Sequence, residues 1–195
     1  MKLVVVGSIN LDYIMRVKEL PKKGETLTAS GFAKAYGGKG ANQAVASARL
    51  GASVSMIGCV GEEELGDVLI ENLNNENINT SGIKRSNKVS GLALITIDPN
   101  GNNTIVVSPG ANTDLTIDHI EKQKRIIQDA DWMLIQLEIP IEVVCLAIKL
   151  AKAGGTRIIM NPAPVKELPT EIFSSIDYIS PNEVEIIEIT KKKDI

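Results

Sequence analysis

Short apolar runs rich in β-branched residues alternate along this chain with segments of helical period, and that alternation limits the possible folds more than any other feature. Leu3 to Gly7, Ser53 to Ile57, Trp132 to Leu137, Arg157 to Met160 and Tyr178 to Ser180 read as buried strands. Between the first two, Lys39 to Leu50 sets Ala41, Val45 and Ala48 on one stripe, with Gly51 as a left-handed stop. Pro140 opens a helix whose Val143, Val144, Ala147, Ile148 and Ala151 form a buried face ahead of Gly154 and Gly155. A further helix is predicted from about Ile117 to Gln128, with Thr116 or Asp118 near its cap. Strands separated by helices pair side by side in one direction, so the predicted class is α/β, a three-layer α/β/α arrangement with a mostly parallel central sheet.

Four segments break the rhythm. Asp12 to Val17, Thr26 to Tyr36, Leu92 to Ile97 and Thr104 to Ser108 alternate polar and apolar residues, the last two flanking the turn Asp98-Pro99-Asn100-Gly101. They predict a small antiparallel β-flap, inserted at about residues 12–36 and 90–108 of an otherwise single domain. Its apolar face needs cover from ligand, from the main domain or from a second subunit. Asn72 to Asn79 reads as a polar connection.

With 195 residues, 44% of them hydrophobic, the chain can bury one sizeable core without disulfides or metals. Cys59 and Cys145 sit in apolar segments without CxxC spacing and read as reduced core thiols. The balance of 21 Lys+Arg against 24 Asp+Glu includes no basic stripe, which argues against a nucleic-acid partner. Lys191-Lys192-Lys193 reads as a solvated run. No apolar run approaches the roughly 18 residues of a membrane span, and a single Lys precedes the first strand, too little for a secretory signal. A cytoplasmic protein with small-molecule partners is expected.

Small polar residues fall just past the carboxyl ends of the predicted strands: Asn10 and Asp12, Glu138, Asn161 and Asn182. In a parallel sheet those ends share one edge, where ligands bind. The most distinctive local feature is Tyr36-Gly37-Gly38-Lys39-Gly40-Ala41-Asn42-Gln43. Glycines at a helix start let backbone approach a ligand closely, and Asn42 falls on the same helical face as Lys39. The run is not a Walker loop, which needs Gly where Ala33 stands and Ser or Thr where Gly40 stands. The dinucleotide fingerprint fails at Gln43.

Taken with Gly7-Ser8-Ile9-Asn10-Leu11-Asp12, Gln136-Leu137-Glu138, Asn161-Pro162-Ala163-Pro164 and Pro181-Asn182-Glu183-Val184-Glu185, this run resembles the PfkB carbohydrate kinase family over nearly the whole chain. The form Gly-Gly-Lys-Gly-Ala-Asn-Gln-Ala from Gly37 to Ala44 is similar to the ribose-phosphorylating branch in particular. The resemblance implies that Asn10, Asp12, Gly38, Lys39, Asn42 and Glu138 bind sugar hydroxyls. It places Asn182 and Glu185 in an Asn-x-x-Glu motif near the phosphates of ATP, with Glu185 acting indirectly on Mg²⁺, and it extends to K⁺ as a monovalent activator. It also implies a homodimer formed through the flap. The chemistry is coherent, because a furanose needs carboxylate acceptors, amides and an ammonium donor around it.

The family's general-base Asp lies in a Gly-Ala-Gly-Asp motif that these residues do not contain. The resemblance covers only about the first two thirds of a member, so the chain alone is expected to show negligible kinase turnover. Other acceptors for the same chemistry are adenosine or another nucleoside, and fructose. A reading from another class is a non-catalytic sugar-binding protein derived from the fold. Outside these motifs, His119 reads as a surface residue, Trp132 as core, and Glu62-Glu63-Glu64 as the cap of a helix ending near Asn74.

Overall fold

A computed structural model describes residues 1–191, so Lys192 and Lys193 of the terminal lysine run lie outside the described residues. The elements run β1 Lys2–Val6, β2 Asn10–Arg16, β3 Gly31–Gly37, α1 Lys39–Arg49, β4 Ser53–Gly61, α2 Glu64–Asn75, β5 Asn79–Ser86, β6 Gly91–Ile97 and β7 Asn103–Ser108. After a 3-10 turn at Gly110–Asp114 come α3 Ile117–Lys122, α4 Lys124–Gln128, β8 Trp132–Ile135, α5 Ile141–Gly154 and β9 Arg157–Met160. A second 3-10 turn at Thr170–Ser175 precedes β10 Tyr178–Ile179 and α6 Glu183–Thr190.

Six strands form a parallel sheet in the order β10-β9-β8-β1-β4-β5. Strand β1 is central, and its alternation divides the core: Val4 and Val6 pack with α3, α4 and α5, while Leu3 and Val5 pack with α1 and α2. The five apolar residues predicted for the buried face of α5 are all buried. Gly51 and Gly155 close α1 and α5 in the left-handed region, as expected of helix stops.

Four departures from the sequence reading have physical causes. Strand β5 starts at Asn79, the last residue of what reads as a polar connection, and runs on through residues for which periodicity gives no strand. It is an edge strand of mostly polar residues, held by backbone pairing to β4 and by the His119 ring, whose Nε2 donates to Gly82 O at 2.8 Å. His119 is therefore half-buried and engaged in the fold. The helix predicted from 117 to 128 is two short helices meeting at Gln123, the first capped by Thr116, whose Oγ1 accepts from His119 N. Glu63 stands at the N-cap of α2, yet its carboxylate caps nothing in that helix and accepts from Ser90 N at 2.7 Å.

The fourth concerns the flap, a separate sheet in the order β3-β2-β6-β7 that is mixed and not antiparallel throughout. Its outer pairs are antiparallel, but β2 and β6 run parallel. Both continue, after a few residues, from parallel strands of the main sheet, β1 and β5, so both leave that sheet in the same direction. The strand predicted from Thr26 also starts later, at Gly31.

Core position should govern the cost of truncation. Leu69→Ala, at 2% exposure in α2, is expected to destabilise the chain by about 2–5 kcal/mol in urea unfolding. Leu50→Ala, at 89% exposure, should stay within about 0.5 kcal/mol. Equal costs would contradict this division of the core.

Candidate functional site

The chain crosses from the main sheet into the second sheet at Gly7-Ser8-Ile9, and the start of α1 is laid directly against this crossing. Gly38 is the N-cap of α1 with φ +89°, and a Cβ there would come within 2.8 Å of Asn10 N and Ser8 O, so only glycine fits. Ala41 N donates to Ser8 O at 2.9 Å, which fastens the first turn of the helix to the crossing.

Glu138, beyond the carboxyl end of β8, reaches the same place. Its Oε2 accepts from Ser8 Oγ at 2.5 Å and from Lys39 N at 3.2 Å, while Gly40 N donates to Ser8 Oγ at 3.4 Å. A carboxylate at a helix N-terminus is favoured by the helix dipole as well as by these bonds. With Oε2 so occupied, Oε1 is the oxygen left free to accept from a ligand.

Asn10, Lys39 and Glu138 line one cleft of about 570 Å³, together with Asn112, Glu185 and Pro164. Ile105 and Val107 of β7 form the part of its wall that comes from the second sheet. Three of the residues singled out for sugar contact thus converge from three separate segments, Glu138 lying about a hundred positions or more from the other two. Asp12 does not line the cleft. It lies on the same face of β2 as Asn10, with its carboxylate against Gly37. Burial, and then the charge of Glu138, push the Asp12 carboxyl above its ordinary value of 3.8. Gly38 shapes the backbone behind the cleft. Asn42 is exposed on α1 and is not a lining residue.

Asn182 and Glu185 form a reciprocal capping box on α6. Asn182 Oδ1 accepts from Glu185 N at 2.8 Å, and Glu185 Oε2 accepts from Asn182 N at 2.8 Å. The other carboxylate oxygen, Oε1, accepts from Asn182 Nδ2 at 3.0 Å, so the motif is internally satisfied while Glu185 still borders the cleft. Asn161 serves the fold, donating through Nδ2 to Ser180 O at 2.8 Å. Among the described residues no group of three or more His, Cys, Asp or Glu side chains could hold a metal ion.

Two residues of the site escape sequence reasoning. Ser8 is the hydroxyl that holds Glu138, and Asn112, buried in the turn after β7, binds Ile9 and Asn10. Ser8 falls inside the Gly7 to Asp12 motif without a role of its own there, and Asn112 carries no signal beyond that of an ordinary turn residue.

The whole sequence, residues 1–195, matches the pattern of the pfkB family of carbohydrate kinases, and the protein belongs to that family. It is 42% identical over 184 residues to the ribokinase of Haemophilus influenzae, covering 94% of this chain and 60% of that protein's length. It is 36% identical over 192 residues to the deoxyribokinase of Salmonella typhi, covering 97% of this chain and 63% of the relative. Among solved structures it resembles Arabidopsis thaliana ribokinase complexed with ribose and ATP, with 32% identity and a TM-score of 0.85 over 97% of this chain and 62% of the other. The chain thus spans about three fifths of the length of these relatives. Among the described residues no helix is long and apolar enough to cross a membrane.

Asp12 carries a cost that the fold alone does not require. Its carboxyl titrates above the unfolded value, so the ionised form destabilises the folded chain at neutral pH, and the penalty fades as pH falls through the raised value. Asp12→Asn is expected to raise Tm by about 2 °C at pH 7, with the gain shrinking toward pH 4. A variant that melts below the parent at pH 7 would contradict this electrostatic reading.

Proposed function

We propose that this chain forms the sugar-binding part of a kinase that transfers the γ-phosphoryl group of ATP to D-ribose, giving ribose 5-phosphate. The observation that carries the proposal is the convergence of Asn10, Lys39 and Glu138 on one cleft at the carboxyl edge of the parallel sheet. The Haemophilus and Arabidopsis relatives support the choice of acceptor.

Each residue has a part that its chemistry suits. Glu138 Oε1 accepts a hydroxyl proton, and the Lys39 ammonium donates to hydroxyl oxygens. Asp12, Gly38 and Asn42 lie outside the lining of the open cleft, and in this reading they reach the sugar only when the second sheet closes, Asp12 then adding a second acceptor. The second sheet closes over the cleft through Ile105 and Val107 and keeps water from competing as phosphoryl acceptor. On its opposite face, exposed Val106 and its register neighbour Leu94 supply the apolar area through which two copies pair. Two unpaired thiols accord with a cytoplasmic setting.

ATP and Mg²⁺ belong to the same reading, with Asn182 and Glu185 on the phosphate side. Both Glu185 oxygens already serve the cap, so Glu185 acts on the ion only indirectly, and no step is assigned to it. The 195 residues contain no Gly-Ala-Gly-Asp run. A missing general base costs about 10²–10⁴ in rate, and a missing anion-stabilising donor about 10²–10³. The chain alone therefore binds the sugar and phosphorylates it negligibly.

Calorimetry at pH 7 is expected to give saturable ribose binding, weakened about tenfold or more by Glu138→Gln, because a half-buried acceptor then loses its charge. Affinity should also fall as pH drops through the raised Asp12 value, since a protonated carboxyl accepts poorly. Absence of saturable binding, or a Glu138→Gln variant that binds as the parent does, would overturn the binding assignment. A coupled assay with ATP and ribose should show no turnover above background, and clear turnover would refute the second part of the proposal.

A further inference from the structure

We infer that Asn112 is a positioning residue that fixes Asn10 as a hydrogen-bond donor toward the occupant of the cleft. The argument is one of polarity. The backbone N–H of Ile9 can only donate, and it lies 2.9 Å from Asn112 Oδ1. The opposite end of the Asn112 amide is therefore Nδ2, a placement reinforced by two carbonyls that can only accept, Pro109 O at 3.0 Å and Ile9 O at 3.3 Å. That nitrogen also donates to Asn10 Oδ1 at 2.8 Å. With its oxygen turned to Asn112, Asn10 presents Nδ2 to the cleft that both residues line.

The relay runs from a backbone amide whose direction the fold fixes, through one buried side chain, to a group at the ligand surface. Asn112 is 1% exposed and Asn10 4%, so water has little access with which to scramble the order. Space for the pair is made by Gly91, the register neighbour of Asn10 on β6, where a Cβ would overlap both Asn10 Oδ1 and Asn112 Nδ2.

The consequence is a specificity rule. An unconstrained Asn offers a ligand either donor or acceptor, whereas this Asn10 offers only a donor. A hydroxyl satisfies it by accepting from Nδ2 and donating its own hydrogen bond to Glu138, on the wall of the same cleft. This consequence for substrate rests on the sugar-binding reading above; the polarity of the relay does not.

Two measurements separate the claims. In the ligand-free parent, side-chain amide exchange by NMR is expected to show the Asn112 NH₂ protons, all donated within the protein, exchanging more slowly than those of Asn10, whose Nδ2 faces the cleft. In Asn112→Asp the introduced carboxylate cannot donate, so Asn10 should turn and its NH₂ protons should slow about tenfold or more. Asn10 protons that exchange as slowly as those of Asn112 in the parent, or no change in the variant, would overturn the inference. In the ligand arm, Asn112→Asp should weaken ribose binding about tenfold, and the double variant Asn10→Ala/Asn112→Asp should bind no worse than Asn10→Ala alone. Additive losses would mean that Asn112 is merely structural. A parent that binds no ribose sinks the sugar reading and leaves the amide arm to decide the relay.

Discussion

The docking of the first turn of α1 against the β1–β2 crossing is the contact on which the site depends. It brings Ser8 Oγ and Lys39 N to one oxygen of Glu138, whose segment lies on the far side of β8 in sequence. The positive φ of Gly38 is what allows the chain to turn from β3 into the helix at that distance. Without this approach the Lys39 side chain, the Asn10 amide and the Glu138 carboxylate would belong to separate loops. With it they border one cleft.

The polar groups there are arranged at a cost to the fold. Burial first, and then the opposing charge of Glu138, hold the carboxyl of Asp12 above its ordinary value. Groups placed in this way are common where a ligand, and not the protein, supplies the missing hydrogen bonds. The neighbouring Glu63 shows the contrasting structural case. Burial pushes its carboxyl up, but bonds from Ser90 and the charge of Arg85 more than compensate and hold it below 4.5. Its Oε1, accepting from Ser90 N, ties α2 to the segment leading into β6.

Most of the layered core was legible from period alone. Strands such as β1 and helices such as α5 carry continuous apolar faces, and burial follows those faces closely. Strand β5 was not legible, because an edge strand can be stabilised by backbone pairing with few apolar side chains. The parallel β2–β6 pair was hidden for a different reason: alternation reports that a segment is a strand but not which way its neighbour runs. At the site, the charged and amide residues stood out through their motifs, while Ser8 and Asn112 did not. Their importance comes from partners more than a hundred residues away, a relation that no local pattern records.

The central claim is spatial, that a single polyol sits among Asn10, Lys39 and Glu138 beneath the second sheet. Titration of ¹⁵N-labelled protein with ribose, followed through assigned backbone and side-chain amide shifts, addresses it most directly. The account predicts that the largest shifts map to Ser8–Asn10, Gly38–Asn42 and Leu137–Glu138, with smaller ones along β7. Shifts concentrated instead around Glu64–Val68 behind the second sheet, or around Leu168 and Ile189 beside α6, would contradict it.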